Sequence, residues 1–348
     1  MTHASDVDPF VSVIVPVRNE ADFMERCLQS ILDSDYPNDR MEVIVVDGMS
    51  DDGTRSIVDD FSSRDPRVRL IDNPKRTTPY AMNNGIRAAK GEIITRVDGH
   101  ATVDREFLRA SVDALKVHPE SWCAGGAVET MNSTLVGRAI AGAMTSPVGV
   151  GNAMFRLGGY EGYVDTIAFG SYWRWVFDRI GMFDEELVRN QDDELNLRLI
   201  LAGGKIYLTP KVRSQYFPRT SLRKLARQYY QYGFWRIRTI QKHRQPATIR
   251  QIAPLVFVLI WIALLIGAVF WRPALWGLAL FAGTYILALL AGSLGVMRRC
   301  GFLPGALALI VFAILHFGYG IGSLVGIFAF VLLRGKTLRK PEEHAMSR

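Results

Sequence analysis

Three long uncharged stretches near the end of the 348-residue chain constrain its fold more than any other feature. They cover residues 253–270, 274–296 and 302–333, which lack Lys, Arg, Asp and Glu throughout. A helix needs about 20 apolar residues to cross the hydrocarbon core of a bilayer, and the buried helices of soluble domains are usually shorter. We therefore expect a membrane-spanning helical region over residues 251–333 rather than a soluble bundle.

The third stretch leaves the number of spans open at three or four. Basic residues favour the cytoplasmic side of a membrane. A single third span would therefore put the basic tail, residues 334–348, on the opposite side from Arg298 and Arg299. Pro304 and the Gly318–Gly320 run could instead break the stretch into a hairpin with two short arms. The side of the membrane on which the chain ends stays open.

Charge is divided unequally along the chain. Residues 1–194 contain 20 Lys or Arg and 32 Asp or Glu, a net charge of −12, whereas residues 195–348 contain 21 and 2, a net charge of +19. The polar tail, residues 1–10, lacks the apolar stretch of a signal peptide. The positive-inside rule puts the basic residues before the first span in the cytoplasm, and without a signal peptide we expect residues 11–213 to face the same side.

Residues 214–250, which precede the first span, are rich in basic and aromatic side chains. This composition is typical of amphipathic helices at the interface with anionic lipid, and a basic helix docked on its own protein is the alternative. The basic residues adjoin the spans, and the part of the chain that precedes them has a net negative charge. We therefore do not expect nucleic-acid binding. The three cysteines are too widely spaced for a disulfide framework.

The first part of the chain alternates apolar runs with helical patterns. Residues 11–15, 41–46, 68–71 and 92–97 are apolar and rich in β-branched side chains, which is typical of strands buried on both faces. Strands and helices that alternate at this spacing form right-handed βαβ units. The sequence therefore predicts an α/β domain with a mostly parallel sheet over residues 11–213.

Polar clusters follow three of these strands, and ligands bind beyond the carboxyl ends of parallel strands. The clusters contain Arg18 with Glu20, Asp47, and Asp98 with His100. One or two such clusters could be ordinary turns, but three together favour a binding site. The sequence has neither a G-x-G-x-x-G after the first strand nor a P-loop, which argues against dinucleotide or P-loop phosphate binding.

Asp98 and His100 stand two residues apart on the loop after the fourth strand. A carboxylate and an imidazole suit Mn²⁺ and tolerate Mg²⁺ as ligands. A divalent cation held there would neutralise a departing diphosphate. A turn without a metal is the alternative for so short a motif.

Four ordered motifs between residues 11 and 233 resemble family 2 glycosyltransferases: VIVPVRNE (13–20), VVDGMSDDGT (45–54), DGH (98–100) and NQDDEL (190–195). With the apolar stretches that follow, the chain is similar to the membrane-anchored bacterial exopolysaccharide branch, the succinoglycan-type glucosyltransferases in particular. The resemblance implies a GT-A-type, Rossmann-like nucleotide-diphospho-sugar transferase domain. It also implies a divalent cation and a multi-pass protein of the bacterial cytoplasmic membrane.

The resemblance implies a set of residues that contact the nucleotide: Pro16, Arg18, Glu20, Asp47, Asn83 and Asp98. A carboxylate that accepts a hydrogen bond from a uracil N–H would favour a UDP-sugar donor. The metal motif of the family is usually D-x-D, and in this chain His100 replaces the second Asp. We expect Asp98 and His100 to hold the cation.

The resemblance also implies that Asp192 is the catalytic base. The family usually shows E-D-x-[DE]-L here, and Gln191 replaces the first Glu. Adjacent carboxylates repel one another, so burial of one would raise its pKa towards the range of a useful base. Asp193 is the runner-up because the acidic run allows a slip of one residue, and a purely structural role at a helix N-terminus is the alternative for both.

Residues 227–236 distantly resemble the Q-x-x-R-W acceptor motif of processive polysaccharide synthases. Five side chains in and near this segment are candidates for contacts with the acceptor or its lipid diphosphate: Gln228, Gln231, Tyr232, Trp235 and Arg236. Anchoring to lipid headgroups is the alternative for each of them.

These observations predict an inverting, metal-dependent glycosyltransferase that uses a nucleotide-diphospho-sugar and a polyprenyl-diphosphate-linked acceptor. A polyprenyl-phosphate sugar synthase is the first alternative, and its phosphate acceptor would need no base. A non-catalytic subunit of a polysaccharide export complex is the second. The sugar, the linkage and the association of several copies of the chain stay open.

Overall fold

The computed structural model describes residues 7–131, 134–217, 221–246 and 248–333. Most of the predicted N-terminal tail and all of the predicted C-terminal tail lie outside these ranges. The strands are β1 (Val11–Val17), β2 (Met41–Asp47), β3 (Val68–Asp72), β4 (Ile93–Arg96), β5 (Ala101–Val103), β6 (Ser121–Gly125), β7 (Val128–Thr130), β8 (Gly162–Val164), β9 (Ser171–Trp173), β10 (Lys205–Leu208) and β11 (Ser214–Tyr216). The helices are α1 (Ala21–Leu32), α2 (Thr54–Arg64), α3 (Thr78–Ala88), α4 (Phe107–Val117), α5 (Leu135–Met144), α6 (Pro147–Val150), α7 (Met154–Leu157), α8 (Arg174–Ile180), α9 (Gln191–Leu201), α10 (Leu222–His243), α11 (Ala253–Phe270), α12 (Pro273–Cys300) and α13 (Phe302–Gly326).

Contacts divide the chain into two compact units. The first comprises Met1–Glu129 and Gly158–Phe217, and the second comprises Thr130–Leu157 and Pro218–Arg348. The predicted catalytic domain, residues 11–213, thus differs from the first unit in the segment Thr130–Leu157, and it stops before strand β11, which also belongs to the first unit. This segment contains the apolar helix α5, whose buried face packs in one cluster with residues of α12 and α13.

An eight-stranded sheet forms the centre of the first unit, with strand order β3-β2-β1-β4-β9-β6-β10-β8. β1 pairs in parallel with β2 and with β4, and β2 pairs in parallel with β3. β8 and β9 run antiparallel to their neighbours, so the sheet is mixed but mostly parallel, as predicted. The strand order reverses at β1, and ligands bind such sheets beyond the carboxyl ends of the strands at this point.

Apolar side chains cover both faces of the sheet. Val13 and Val15 lie on one face with Leu28 of α1, and Ile14 lies on the other face with residues of α3. A Cβ atom on Gly85 of α3 would lie 2.5 Å from Ile14 Cγ2, so glycine permits the close approach of this helix to β1. Each aliphatic side chain buried here stabilises the fold by about 1.5–3 kcal/mol, which fixes the strand ends that carry the site.

Within the described part of the second unit, three helical segments are long and apolar enough to cross a membrane. They are α11, α12 and the segment Phe302–Leu332, with mean hydropathies of 2.7, 2.0 and 2.0 over their most apolar windows. α13 continues through Gly318 and Gly320 into the π-helical segment Ile327–Leu332 without an intervening turn. The hairpin that would give a fourth span is therefore absent from the described residues.

α10, the predicted interface helix, packs along α13. A Cβ atom on Gly233 of α10 would lie 1.9 Å from the Tyr319 carbonyl oxygen, and one on Gly322 of α13 would lie 2.0 Å from the Tyr230 carbonyl oxygen. Small residues at such crossings let two helix backbones touch. Much of α10 is therefore buried within the second unit, as in the docked alternative, and its position at the lipid interface stays a prediction.

Candidate active site

The loops after β1 and β2 hold each other in place. Asn19 Nδ2 donates to Asp51 Oδ1 at 2.9 Å, and the Asp51 N–H donates to Asn19 Oδ1 at 3.1 Å. The Asn19 N–H also donates to Ser50 Oγ at 2.8 Å. Asn19 has a φ of 56°, a left-handed conformation that Asn tolerates better than most residues. Asn19, Ser50 and Asp51 therefore shape one rim of the crevice at the carboxyl ends of β1 and β2.

The structure places the predicted nucleotide residues of β1 and β2 at this rim, but with different exposure. Pro16 lies inside β1 opposite Val46, and Arg18 follows β1 with its aliphatic stem packed over Gly48. Asp47 is fully buried, and its carboxylate accepts hydrogen bonds from the N–H and hydroxyl of Ser50. Asp47 thus anchors its own turn, and its contact with a nucleotide stays a prediction.

One buried guanidinium joins the two other predicted carboxylates. Arg96, the last residue of β4, is 6% exposed. Its Nε donates to Asp98 Oδ1 at 2.8 Å, and its Nη1 donates to Asp192 Oδ1 at the start of α9. The expected cation ligand and the expected base, 94 positions apart in the chain, therefore meet at one arginine.

The environment separates the acidities of these two carboxyl groups. Burial raises the pKa of Asp192 to about 7, with repulsion from Asp98 and Asp193 adding to this effect and attraction by Arg96 opposing it. For Asp98, burial is outweighed by Arg96 and His100, so its pKa is lowered. Two neighbouring carboxyl groups with separated pKa values are typical of sites where one holds charge and the other moves a proton.

Asp193, the runner-up for the base, points into a different network. Thr166 Oγ1 donates to Asp193 Oδ1 at 2.7 Å, and Asn196 Nδ2 donates to Thr166 Oγ1 at 2.9 Å. Tyr172 OH extends this network by donating to Asn196 Oδ1 at 2.8 Å. These bonds tie α9 to β9 and the segment before it, so Asp193 contributes to packing, and the assignment of the base to Asp192 stays a prediction.

His100 contacts Glu20 across the crevice. His100 Nδ1 lies 2.8 Å from Glu20 Oε1, and Glu20 is only 6% exposed. The sequence analysis predicted that Glu20 contacts the nucleotide, whereas the structure brings its carboxylate onto the imidazole ring. His100 and Asp98 occupy the same loop, so two predicted cation ligands lie at the carboxyl end of β4.

The donor set fits a cation that takes further ligands from its substrate. Among the described residues, no group of three or more His, Cys, Asp and Glu side chains could hold a metal ion by itself. Mn²⁺ and Mg²⁺ commonly bind through one or two protein ligands plus phosphate oxygens and water. Asp98 supplies a carboxylate with a lowered pKa, and His100 supplies an imidazole that contacts a second carboxylate, an arrangement typical of metal-binding histidines.

Asn83, which was predicted to contact the nucleotide, makes three hydrogen bonds within the first unit. Its Nδ2 donates to the Phe183 carbonyl oxygen and to Glu185 Oε1, both at 2.9 Å. Its Oδ1 accepts a hydrogen bond from the Phe183 N–H at 2.9 Å, and the side chain is buried. Asn83 therefore ties α3 to the segment that leads into α9, and its contact with a nucleotide stays a prediction.

The predicted acceptor residues lie within the second unit. Four of the five are less than a tenth exposed: Gln228, Gln231, Trp235 and Arg236. Gln228 Nε2 donates to Tyr232 OH at 2.7 Å, and Arg236 Nε donates to Tyr319 OH at 3.1 Å. These contacts stabilise α10 and its packing on α13, and a role of the five residues in acceptor binding stays a prediction.

Arg96 is the functional residue that the sequence reasoning missed. In the EIITRV run it looks like an ordinary strand residue, and only its position two residues before Asp98 could have marked it. Thr166 carried no signal, because its partner Asp193 is 27 positions away. Both residues gain their roles from tertiary contacts.

Comparisons with known proteins agree with the arrangement of strands and loops. Residues 12–161 match the sequence profile described as Glycosyl transferase family 2. The chain is 32% identical over 262 residues to the succinoglycan biosynthesis protein ExoA of Rhizobium meliloti (strain 1021), an alignment that covers 74% of this chain and 78% of that protein.

Two further proteins are similar over most of the chain. One is the dolichyl N-acetyl-alpha-D-glucosaminyl phosphate 3-beta-D-2,3-diacetamido-2,3-dideoxy-beta-D-glucuronosyltransferase of Methanococcus voltae, 27% identical over 64% of this chain and 72% of that protein. The other is a solved structure, a mannosyltransferase from Pyrobaculum calidifontis in complex with GDP-Man and Mn²⁺. It is 21% identical, with a TM-score of 0.54 over 92% of this chain and 87% of that one, which confirms the predicted fold class.

Proposed function

Because the chain belongs to glycosyltransferase family 2, we propose that it transfers a sugar, with inversion, from a nucleotide-diphospho-sugar to a polyprenyl-diphosphate-linked sugar. The observation that carries this proposal is the pair of carboxylates on Arg96. Asp98, with a lowered pKa, is the expected cation ligand, and Asp192, with a pKa of about 7, is the expected base. A UDP-sugar is the first donor to test.

The chemical step needs one proton acceptor. Asp192 takes the proton from the acceptor hydroxyl while the hydroxyl oxygen forms a bond to the anomeric carbon of the donor sugar. The bond between that carbon and the diphosphate oxygen breaks with its electron pair on the diphosphate, and attack from the opposite face inverts the anomeric centre. A pKa of about 7 leaves a large fraction of Asp192 ionised at neutral pH and still basic enough to accept the proton.

Arg96 orients this base. Its guanidinium donates to Asp98 with one nitrogen and to Asp192 with another, and this fixed fork geometry holds both carboxylates in place. A divalent cation bound by Asp98 and His100 would supply positive charge to the departing diphosphate. The mannosyltransferase of Pyrobaculum calidifontis was solved with Mn²⁺ and GDP-Man, which supports this choice of cation.

The second unit supports a membrane-linked acceptor. Its three long apolar helical segments provide spans for a multi-pass protein of the bacterial cytoplasmic membrane. The positive-inside rule supports a cytoplasmic first unit. The name of the relative from Methanococcus voltae specifies a dolichyl-linked sugar phosphate, which supports a sugar on a polyprenyl carrier as the acceptor of this chain.

A polyprenyl-phosphate sugar synthase is the second candidate, and the site gives a reason to rank it lower. A phosphate acceptor is already ionised and needs no proton acceptor, whereas Asp192 has a pKa of about 7. Transfer by a synthase would therefore survive the loss of this carboxylate.

The test uses the full-length chain purified in detergent. A panel of UDP- and GDP-sugars is incubated with Mn²⁺ and either a polyprenyl-diphosphate-linked sugar or polyprenyl phosphate, and products are identified by mass spectrometry and the anomeric proton coupling in NMR. We expect an inverted product on the lipid-linked sugar and none after EDTA treatment. Transfer only to polyprenyl phosphate would support the synthase, and no turnover with any donor would contradict both.

A further inference from the structure

Glu20 makes a contact that its place at a helix start does not require. It precedes α1, and its carbonyl oxygen accepts hydrogen bonds from the N–H groups of Phe23 and Met24, both at 2.9 Å. The side chain makes no capping bond to this helix. Thr54 Oγ1 accepts the Glu20 N–H at 2.8 Å, so the backbone is fixed on both sides. The buried carboxylate is therefore held in place and directed to His100.

A glycine allows the two loops to come this close. A Cβ atom on Gly99 would lie 2.6 Å from Val17 Cγ1 and 3.2 Å from Glu20 Cγ. A larger residue between Asp98 and His100 would push the loop away from the end of β1. The D-G-H sequence thus combines the close packing with the two side chains that carry the chemistry.

The imidazole ring is held from a second direction. The ring of Tyr216 meets the His100 ring edge to face, with centroids 4.9 Å apart and an interplanar angle of 65°. The His100 carbonyl oxygen accepts the Phe217 N–H at 3.3 Å, where β5 pairs with β11. Both the position and the rotation of the ring are therefore set before any ligand arrives.

We propose that Glu20 is a positioning residue for the cation, because it accepts the Nδ1–H of His100 and thereby keeps the lone pair of the ring on Nε2. A neutral imidazole carries its proton on one nitrogen and can coordinate a metal only through the other. This inference rests on the proposed function, which assigns the cation to Asp98 and His100. In this role Glu20 contacts the imidazole rather than the nucleotide. The pair of Glu20 and His100 is possible only where the metal motif ends in His.

Measuring the Mn²⁺ affinity of Glu20 variants tests whether Glu20 positions His100 or only stabilises the fold. Removal of a carboxylate that orients a histidine ligand costs about 10- to 100-fold in metal affinity. We expect Glu20→Ala to weaken Mn²⁺ binding to the full-length protein by this factor, measured by EPR titration with UDP and, separately, with GDP. Glu20→Gln keeps an oxygen that can accept the Nδ1–H and should recover part of the affinity.

The matched control replaces the histidine. In the His100→Asp variant the position has no tautomer to fix, and a carboxylate beside Glu20 would repel it. Glu20→Ala should then leave Mn²⁺ affinity unchanged or improve it. A loss in the His100→Asp background as large as in wild type would overturn the proposal, as would wild-type affinity in the Glu20→Ala variant or no Mn²⁺ binding to the wild-type protein.

A metal-free measurement reads the tautomer itself. The chain has six histidines, so selective ¹⁵N-histidine labelling with a His100→Asp spectrum for assignment identifies the signals of His100. We expect Nδ1 protonated and Nε2 unprotonated in wild type, and a mixture in Glu20→Ala. Protonation on Nε2 alone in wild type would overturn the proposal. Normal sugar transfer alongside such a result would leave the proposed function standing, so the two failures are distinguishable.

Discussion

At the scale of single residues, Arg96 decides how the site distributes its charge. A buried guanidinium requires counter-charges, and Asp98 and Asp192 supply them from two different parts of the chain. The pKa of Arg96 is raised, because both carboxylates outweigh the effect of its burial. The arginine therefore stays charged and leaves Asp192 as the group that titrates near neutral pH.

The pH dependence of sugar transfer follows from this titration. Asp192 must be ionised to accept a proton, so kcat/KM should fall as the pH drops through about 7 and reach a plateau above it. The measurement is kcat/KM for sugar transfer from about pH 5 to about pH 9 at saturating Mn²⁺. A profile that stays flat down to about pH 5 would mean that no group with the pKa of Asp192 controls the reaction.

Some site residues could be predicted from sequence and others could not. Asp98, His100 and Asp192 belong to short motifs whose chemistry and order are visible in the chain. The bonds of Asn83 to the Phe183 backbone could not be predicted, because a buried amide looks, in sequence, like any polar residue on a helix. Local patterns report the residue types, whereas the partners come from the tertiary fold.

At the scale of elements, the crossing of α10 and α13 depends on the absence of side chains. Gly233 and Gly322 each face a backbone carbonyl of the opposite helix, and a Cβ atom at either position would lie about 2 Å from it. The sequence showed the length of both helices but not this contact, because glycine periodicity alone does not say which helix it faces. The parallel strands were easier to predict, since β1, β2 and β4 are rich in β-branched residues and buried on both faces.

Gly322→Ala should separate these helices. The added methyl group meets the Tyr230 carbonyl oxygen, and such overpacking costs about 1–3 kcal/mol. We expect a lower apparent Tm in detergent than for the wild-type protein. Gly295→Ala on α12 is the matched control, because a Cβ atom there has nothing within 4 Å. Equal unfolding temperatures for the two variants would contradict the proposed packing.

At the scale of the whole molecule, the chain enters the second unit twice. Thr130–Leu157 leaves the first unit between β7 and β8, and its helix α5 buries Ala139, Ile140 and Ala143 in a cluster that includes Val296 and Phe312 of α12 and α13. The sequence predicted the long spans because their length is diagnostic. It did not predict this segment, because α5 has only 10 residues and its composition also fits a soluble helix.

Because α5 packs against α12 and α13, the first unit should not be soluble when it is produced without these helices. A fragment that ends at Phe217 keeps α5 but loses α12 and α13, so the buried face of α5 becomes exposed. We expect this fragment to aggregate or to sediment with membranes. Replacement of residues 131–157 by a flexible Gly-Ser linker of about ten residues should give a soluble monomer by size-exclusion chromatography. Monomeric behaviour of both fragments would contradict the account of α5.

The raised pKa of Asp192 also predicts how the Asp192→Asn substitution changes the stability of the fold. The pKa of Asp192 is higher in the folded chain than its usual value of 3.8. The folded state therefore binds more protons than the unfolded state between about pH 4 and about pH 7, and its stability falls as the pH rises through this window. Asp192→Asn removes that ionisation. Above pH 7, the apparent Tm of the variant should therefore be no lower than that of the wild-type protein.

The most direct test of the central claim compares Asp192→Asn with Asp193→Asn in the sugar-transfer assay. The two residues are adjacent on α9, but one bonds to Arg96 and the other to Thr166. We predict that Asp192→Asn lowers kcat by about 10²- to 10⁴-fold with little change in nucleotide affinity, the usual contribution of a general base. Asp193→Asn should keep most of its activity. Near-normal turnover of the folded Asp192→Asn protein, or the larger loss in Asp193→Asn, would contradict the account.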